Sequence, residues 1–179
     1  GYLPIRLLAG TSHLGALLDG SRIAAFAFAE RAGRFRLEAQ AVTASGETLS
    51  GEKQFVLGAP FADFLIVTAR DTDGTGLFLV EAANADLRPY PVADGSLAAV
   101  ATFRAAPAVR LEGGMDRLNA AVDDTMLMAA AEMAGLARRL FDETLSYVKT
   151  REQFGQPIGR FQVIQHRMVD AYARCEEIQ

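Results

Sequence analysis

The sequence predicts an α+β chain in which an antiparallel β-barrel or sandwich domain is followed by the first long helices of an α-helical bundle domain. Two observations support this fold class. Short apolar runs separated by turn residues fill residues 21–110, and one broad apolar stripe of helical period fills residues 115–148. We expect three domains, over residues 1–20, 21–112 and 113–179.

The first twenty residues show an interrupted helical pattern. Leu3, Leu7, Leu14 and Leu17 recur at roughly helical spacing, but Pro4 and two glycines break the run. This stretch is too short and too broken to stand as a domain of its own.

The second predicted domain consists of strands without intervening helices. Turn-forming pairs such as Ser45-Gly46 and Asp73-Gly74 separate the apolar runs. Residues 34–38 alternate polar and apolar side chains, as a half-buried strand does. Strands at such close and regular spacing indicate an antiparallel barrel or sandwich. The predicted strands are residues 23–29, 35–44, 47–57, 64–69, 76–80, 87–92 and 98–103.

The third predicted domain begins with a helix over residues 115–148, which would be about 50 Å long. Gly155, Pro157 and Gly159 then interrupt the pattern, and a second, antiparallel helix begins near Phe161. Such an apolar helix needs partners along its whole face. We therefore expect a helical hairpin that associates with another subunit.

Composition argues against several classes of site and partner. The formal net charge is -4 and the basic residues are scattered, which is not the pattern of a nucleic-acid binder. The sequence contains no uninterrupted run of ~18 apolar residues, so no membrane span is predicted. The single cysteine, Cys175, cannot form an internal disulfide, so we expect a reducing, cytoplasmic location. No two residues of the types that bind metals occur at the spacing of a metal site together with a third, so no metal site is predicted.

The corner between the two helices carries polar side chains away from the packed faces. Arg151, Gln153 and Arg160 all lie there. A guanidinium group presents a rigid fork of donors that matches phosphate oxygens, and an amide suits a ribose. From these residues alone, solvated surface side chains remain the open alternative.

Two blocks of sequence resemble the acyl-CoA dehydrogenases, a family of FAD-dependent flavoproteins. The corner motif REQFG at residues 151–155, with FQ at 161–162 and QH at 165–166, resembles the start of their C-terminal helical domain. The motif GEKQFV at 51–56 and the strand at 65–70 resemble their middle β domain. Among branches, the chain is most similar to bacterial members like the small subunit of pimeloyl-CoA dehydrogenase, a heteromeric branch. By the same resemblance, the first twenty residues would end an N-terminal helical domain.

The resemblance implies two sets of FAD contacts. In the helical domain, Arg151 would reach the FAD pyrophosphate of a neighbouring subunit, while other corner residues line the adenine and ribose. In the β domain, two short segments would contact the flavin ring. The implied contacts are Arg151, Phe154, Phe161 and Gln162 for the first set, and Phe28, Ala29, Phe55 and Leu57 for the second.

The chain departs from the family pattern around the flavin ring. Ala29 and Leu57 stand where the family usually has threonine, so two hydroxyl donors are missing. Arg31 replaces a common proline, and Arg34-Phe35 replaces Gly-Ser. An apolar wall and backbone donors would still be available to the ring.

The resemblance implies α,β-dehydrogenation of an acyl-CoA thioester. In the family a Glu removes the α-proton, and its usual position lies beyond Gln179, so we expect an incomplete chain without its catalytic base. An alternative family position for that base corresponds to Thr125, whose hydroxyl cannot serve as a general base at neutral pH. Asp123 and Asp124 are close by but are ordinary helix-face acids on this interpretation.

Two functional hypotheses stay open at this point. The chain is either part of an FAD-dependent acyl-CoA dehydrogenase subunit or a non-catalytic structural subunit of a heteromer. Acyl-CoA and a second subunit, identical or related, are the expected partners. A stand-alone β-domain binding module is disfavoured by the long apolar helix over residues 115–148.

Overall fold

Two short helices begin the part of the chain that the structure describes, residues 2–178 of a computed structural model. Their positions agree with the interrupted helical pattern of the sequence. Leu7 and Leu8 are fully buried and belong to the same apolar cluster as Ile66 of the sheet. The helices are α1 (Tyr2–Leu7) and α2 (Leu14–Leu18).

A single eight-stranded sheet follows these helices. Its strand order is β6-β7-β3-β2-β4-β5-β8, with β1 beside β4, and pairing is antiparallel except where β4 pairs with β1 and β2. Because β6 and β8 have one neighbour each among the described residues, the sheet does not close into a barrel. The strands are β1 (Ala24–Ala27), β2 (Thr43–Ser45), β3 (Thr48–Leu57), β4 (Phe64–Asp71), β5 (Gly74–Glu81), β6 (Asp86–Pro91), β7 (Leu97–Pro107) and β8 (Val109–Leu111).

Strand β4 lies at the centre of the sheet and is buried on both faces. Leu65 and Val67 pack into one apolar cluster, and Phe64 and Ile66 pack into the other. A continuous apolar sequence is typical of a strand covered on both sides. The predicted α+β fold class is confirmed, and the sandwich description fits its β part better than a barrel.

The predicted strand over residues 35–44 is wrong except for its last two residues, which begin β2. Residues 35–42 form an irregular loop that starts where Arg34 adopts a φ of 53°. Three consecutive N–H groups of this loop donate to the Glu30 carboxylate rather than to a neighbouring strand, and local alternation of side chains does not reveal this long-range acceptor. They are those of Gln40 at 2.9 Å, Ala41 at 2.6 Å and Val42 at 3.2 Å.

The Glu30 carboxylate belongs to a buried polar cluster inside the sheet. The Lys53 Nζ atom donates to Glu30 Oε1 at 2.7 Å and to the Thr68 hydroxyl at 2.9 Å. It also donates to the backbone carbonyl of Phe28 at 3.0 Å. Lys53 is 0% exposed and Glu30 is 3% exposed, so both charges are desolvated. A buried charge pair is tolerable only when its hydrogen-bonding capacity is met, as it is here.

The C-terminal part forms the predicted helical hairpin. Rings of Phe141 and Tyr172 lie 5.8 Å apart, and Arg138 pairs with Glu176 at 2.8 Å. Since residue numbers fall along the first helix as they rise along the second, the helices are antiparallel, and the hairpin prediction is confirmed. The helices are α3 (Gly114–Thr150), about 55 Å long at 1.5 Å per residue, and α4 (Gln162–Glu177).

A tight corner joins the two helices. Strands β9 (Glu152–Gln153) and β10 (Gln156–Pro157) pair there, and Phe154 and Gly155 between them adopt φ values of 52° and 78°. Positive φ at both central residues is the geometry of the two-residue hairpin turns. A Cβ atom on Gly159 would come within 2.9 Å of the Val148 carbonyl oxygen, so the close approach of the corner to α3 requires glycine.

The described residues divide into two compact units, the first ending at Asp123 and the second beginning at Asp124. None of the helices in residues 2–178 combines the length and the hydropathy that crossing a membrane requires. Over the same residues, no cluster of three or more His, Cys, Asp and Glu side chains could hold a metal ion.

We predict that Glu30→Gln lowers the unfolding free energy by about 3–5 kcal/mol, because it leaves the buried Lys53 ammonium without its counter-charge. The double variant Glu30→Gln/Lys53→Met should lose less unfolding free energy than Glu30→Gln alone, since no buried charge remains. Urea unfolding followed by circular dichroism measures both. Arg22→Met is the matched control, because it breaks an exposed ion pair of 3.2 Å to Asp63 that should contribute under about 1 kcal/mol. Equal losses in the buried and exposed pairs would contradict the prediction.

We also predict a loss of stability in acid that depends on this cluster. The pKa of Glu30 is raised by burial, but the hydrogen bonds from Lys53 and the Ala41 N–H outweigh burial and hold it below the usual value. As the pH falls, the Glu30 carboxylate therefore binds a proton at higher pH in the unfolded chain than in the folded protein. Stability falls as the pH drops from about 4.3 through the folded pKa. Urea midpoints from about pH 5 to about pH 3 should fall more steeply in the wild type than in the double variant. Equal slopes of the urea midpoint against pH in the two proteins would show that Glu30 does not contribute to the loss of stability in acid.

Candidate cofactor-binding sites

The first candidate site lies where the chain leaves β1. The rings of Phe26 and Phe28 stack at 5.2 Å with an interplanar angle of 14°. The next residue, Ala29, is buried, and its carbonyl oxygen accepts the N–H of Gln54 at 2.8 Å. This hydrogen bond ties the segment after β1 directly to β3.

A β-bulge in β3 determines which side chains face this site. The register with β7 shifts between Lys53 and Val56, and Phe55 within the bulge adopts a φ of 51°. In a regular strand Phe55 would lie on the same face as buried Lys53, because side chains alternate. The bulge reverses the alternation, so that Val56 is 0% exposed and Phe55 is 42% exposed. The Phe55 ring is thereby turned away from the core.

The segment after β1 and this bulge line a pocket of about 390 Å³. The rings of Phe35 and Phe55 meet edge to face across it at 6.3 Å. Of the four residues predicted to contact the flavin ring, the structure brings Ala29 and Phe55 together in this lining, whereas Phe28 and Leu57 lie outside it. The lining residues are Ala29, Glu30, Arg31, Arg34, Phe35, Gln54 and Phe55.

Charge at this pocket is separated into a neutral floor and a basic rim. Burial lowers the pKa of Lys53, and the Glu30 carboxylate offsets part of that effect. Although burial raises the pKa of Glu30, hydrogen bonds from Lys53 and the Ala41 N–H hold it below its usual value, and the two groups form an ion pair at 2.7 Å. Arg31 and Arg34 are exposed at the rim, and no acidic side chain of residues 2–178 pairs with them. The pocket can therefore hold an apolar ring beside an anionic group.

The second candidate site is the corner between α3 and α4. Phe154, at the tip of the turn, is 91% exposed and meets Phe161 edge to face at 6.1 Å. Arg151 and Gln162 are exposed on the same corner. The Arg151 backbone is fixed by hydrogen bonds to Tyr147 and Ile158, each 2.8 Å, while no acidic side chain of the described residues pairs with its guanidinium.

None of the four predicted corner residues lines the neighbouring apolar pocket of the helical hairpin. That pocket has a volume of about 300 Å³ and lies between the two helices and the corner. Arg151, Phe154 and Gln162 are instead exposed on the surface of their unit, where they can contact a group bound elsewhere, and Phe161 is half-buried behind Phe154. The pocket is lined by Leu145, Val148, Lys149, Pro157, Gly159, Arg160, Ile164, Gln165 and Met168.

Sequence reasoning missed Glu30, Lys53 and Thr68. The only signal for a buried Lys53 is that it shares the alternation phase of Leu49, and the polar residues around both positions make that signal weak. Glu30, directly after the first apolar strand, was the available partner. The positions of the bulge and of the loop at residues 35–42 left no comparable signal.

Comparisons with known proteins agree with this fold. A family model described as the C-terminal domain of acyl-CoA dehydrogenase matches residues 112–179. Acyl-CoA dehydrogenase IpdE2 of Mycolicibacterium smegmatis is 34% identical over 138 residues, 77% of this chain and 41% of that relative. The structure of PigA with FAD and proline matches with a TM-score of 0.86 at 25% identity, over 97% of this chain and 52% of that one. The ChsE4-ChsE5 complex from Mycobacterium tuberculosis matches with a TM-score of 0.83 at 25% identity, over 97% and 50%.

These matches cover both units of the chain, while the chain itself spans about half the length, or less, of the proteins it matches. The predicted family resemblance is confirmed. The finer resemblance to the small subunit of pimeloyl-CoA dehydrogenase stays a prediction. The chain is similar to acyl-CoA dehydrogenases across both units, and residues 112–179 match the C-terminal domain of that family.

Proposed function

We propose that this chain is part of an FAD-dependent acyl-CoA dehydrogenase subunit that performs α,β-dehydrogenation of an acyl-CoA thioester. The observation that carries the proposal is the corner, where an exposed guanidinium without an acidic partner among residues 2–178 stands beside a 91% exposed ring. A cation and an aromatic face suit the pyrophosphate and adenine of a dinucleotide. The structure of PigA with FAD, which shares this fold, is consistent with that cofactor.

The pocket of the first unit would hold the flavin ring. Phe55 supplies an aromatic wall, and the neutral floor of Glu30 and Lys53 places no net charge beneath it. Ala29 supplies no hydroxyl donor, and its carbonyl is already occupied by Gln54. The residues present therefore fit the ring by shape and apolar contact, and the side-chain donors in the lining belong to Arg31, Arg34 and Gln54 rather than to hydroxyl groups. When bound, FAD would accept the hydride from the β-carbon of the thioester.

Arg151 and Phe154 would act on a cofactor held by another subunit. Both side chains point outward from the hairpin, so they are available across a subunit boundary. The guanidinium would fix the pyrophosphate by charge-assisted hydrogen bonds, and the ring would pack on the adenine end. Phe161 holds the Phe154 ring by edge contact, and Gln162 would donate to the ribose.

A second function, a non-catalytic structural subunit of a heteromer, is favoured by one specific observation. The positions equivalent to the family's two threonine donors carry Ala29 and Leu57, which cannot hydrogen-bond the flavin through their side chains. The similar ChsE4-ChsE5 structure is a complex of two differently named proteins.

For either function we propose the same domain organisation and location. Residues 1–20 end an N-terminal helical domain, residues 21–112 and 113–179 are the β and helical domains, and the location is cytoplasmic.

We predict that Arg151→Ala weakens FAD binding by roughly ten- to a hundredfold, because charge-assisted contacts to phosphate contribute about 1.5–3 kcal/mol. Arg151→Lys should recover only part of the loss, since an ammonium keeps the charge but not the fork. FAD titration of the intact protein, followed by quenching of flavin fluorescence, measures all three affinities.

Arg167→Ala is the matched control for this titration, because Arg167 is exposed on α4 and away from the corner motif. Its FAD affinity should equal that of the wild type. Equal affinity in wild type and both Arg151 variants would remove Arg151 from the cofactor site. A wild type that binds no FAD would support the structural-subunit alternative.

We also predict that the intact protein associates through the helical hairpin. Six leucine and methionine side chains of α3 are more than half exposed, and apolar patches of this kind mark interfaces. Leu136→Glu should therefore dissociate the assembly at micromolar concentration in sedimentation velocity, whereas Leu18→Glu, at an exposed position of α2, should not. A wild type that sediments as a monomer would contradict the prediction. The six residues are Met126, Leu127, Met128, Met133, Leu136 and Leu140.

A further inference from the structure

The ammonium group of Lys53 on β3 connects that strand to the segment after β1 and to strand β4. Lys53 Nζ donates to the Phe28 carbonyl at 3.0 Å, to Glu30 Oε1 at 2.7 Å and to the Thr68 hydroxyl at 2.9 Å. An ammonium has three donors, and all three are used. Two of its partners belong to the segment that leads into the first candidate site.

The segment after β1 is held to β3 at adjacent positions. Lys53 binds it through the Phe28 carbonyl and the Glu30 carboxylate, and the next residue, Gln54, binds it through the Ala29 carbonyl at 2.8 Å. Glu30 in turn collects the N–H groups of residues 40–42. The pocket wall, its floor and the loop beside it are therefore tied to one pair of buried charges.

Both segments that frame the pocket contain a backbone conformation that ordinary residues avoid. Arg34 has a φ of 53° and Phe55 has a φ of 51°, and both side chains line the pocket. Residues other than glycine remain in this region only where the surrounding structure forces them to, and such strain concentrates at ligand sites. The Arg34 carbonyl accepts the Glu30 N–H at 3.0 Å, and Phe55 lies two residues after Lys53 on the same strand, so both positions are linked to the buried pair.

A purely apolar substitute would not reproduce this arrangement. Well-packed hydrophobic side chains of similar volume often match a buried ion pair in stability. They cannot, however, donate to the Phe28 carbonyl or accept three N–H groups in fixed directions. The ion pair therefore fixes the positions of the backbone groups that it binds, in addition to any stability that it contributes.

We propose that Lys53 is a positioning residue for the flavin ring: with Glu30, it holds the Phe28–Glu30 segment against the bulge at Gln54 and Phe55, so that the pocket keeps one shape. This inference rests on the proposed function, because it supposes that the pocket receives the ring. Lys53 itself is 0% exposed and acts only through the residues that it binds.

The test compares variants that remove different partners of the same ammonium. Lys53→Met removes all three hydrogen bonds of the ammonium, and Thr68→Val removes only the third partner, which lies on β4 and outside the pocket. Lys53→Gln removes the charge but keeps N–H donors, on a side chain one atom shorter than lysine. It also serves as the comparison if Lys53→Met does not fold.

Two measurements on the intact protein separate positioning from general stability. Amide hydrogen exchange without FAD should show the Gln54 N–H about tenfold less protected in Lys53→Met and nearly unchanged in Thr68→Val, because exchange reports local opening. FAD titration should show affinity weakened about tenfold in Lys53→Met, with Lys53→Gln between that variant and Thr68→Val.

Each outcome decides between the two claims. Weakened FAD binding and lost Gln54 protection in Lys53→Met, with Thr68→Val close to wild type, support the positioning role. FAD affinity equal in Lys53→Met and Thr68→Val overturns that role while leaving the proposed function intact. A wild type that does not bind FAD overturns the proposed function and, with it, any role of Lys53 toward the flavin.

Discussion

The arrangement of the first unit depends on one buried ion pair. Removing Lys53 and Glu30 from water costs several kcal/mol for each charge, and their mutual attraction and hydrogen bonds offset that cost. The carboxylate accepts three backbone N–H groups and the ammonium, and the ammonium has two further acceptors. Among the described residues, no buried side-chain nitrogen or oxygen lacks a partner. The path of the chain around the pocket is therefore fixed by the demands of two charges.

Sequence patterns predicted the features that depend on local periodicity. The stripe over residues 115–148 predicted α3 to within two residues at either end, and glycine and proline marked the corner before α4. The strand over residues 35–44 failed because its N–H groups bond to Glu30, which lies outside the stretch. The exposure of Phe55 was likewise hidden, since a bulge without glycine at its positive φ reverses the side-chain phase without a local signal. Family resemblance indicated the site residues, and only the structure showed that Ala29 and Phe55 share a pocket while Leu57 does not.

The two candidate sites differ in how they would engage one cofactor. The pocket beside β1 offers an open cavity with an aromatic wall and a neutral floor, but no hydroxyl donor at Ala29. The corner offers a guanidinium and an exposed ring, but no enclosure of its own. Each site supplies what the other lacks, which is the expected division when one cofactor is shared between neighbouring subunits. Exposed apolar residues along α3, such as Leu127 and Leu136, give such subunits a surface through which to associate.

The most direct test of this account is a crystal structure of the intact protein with FAD. We expect the flavin ring against Phe55 of one subunit, with the Glu30–Lys53 pair intact beneath it. The Arg151 guanidinium of a neighbouring subunit should lie within hydrogen-bonding distance of the pyrophosphate. A flavin ring bound away from the pocket of Ala29 and Phe55, or a pyrophosphate with no contact to Arg151, would contradict the account.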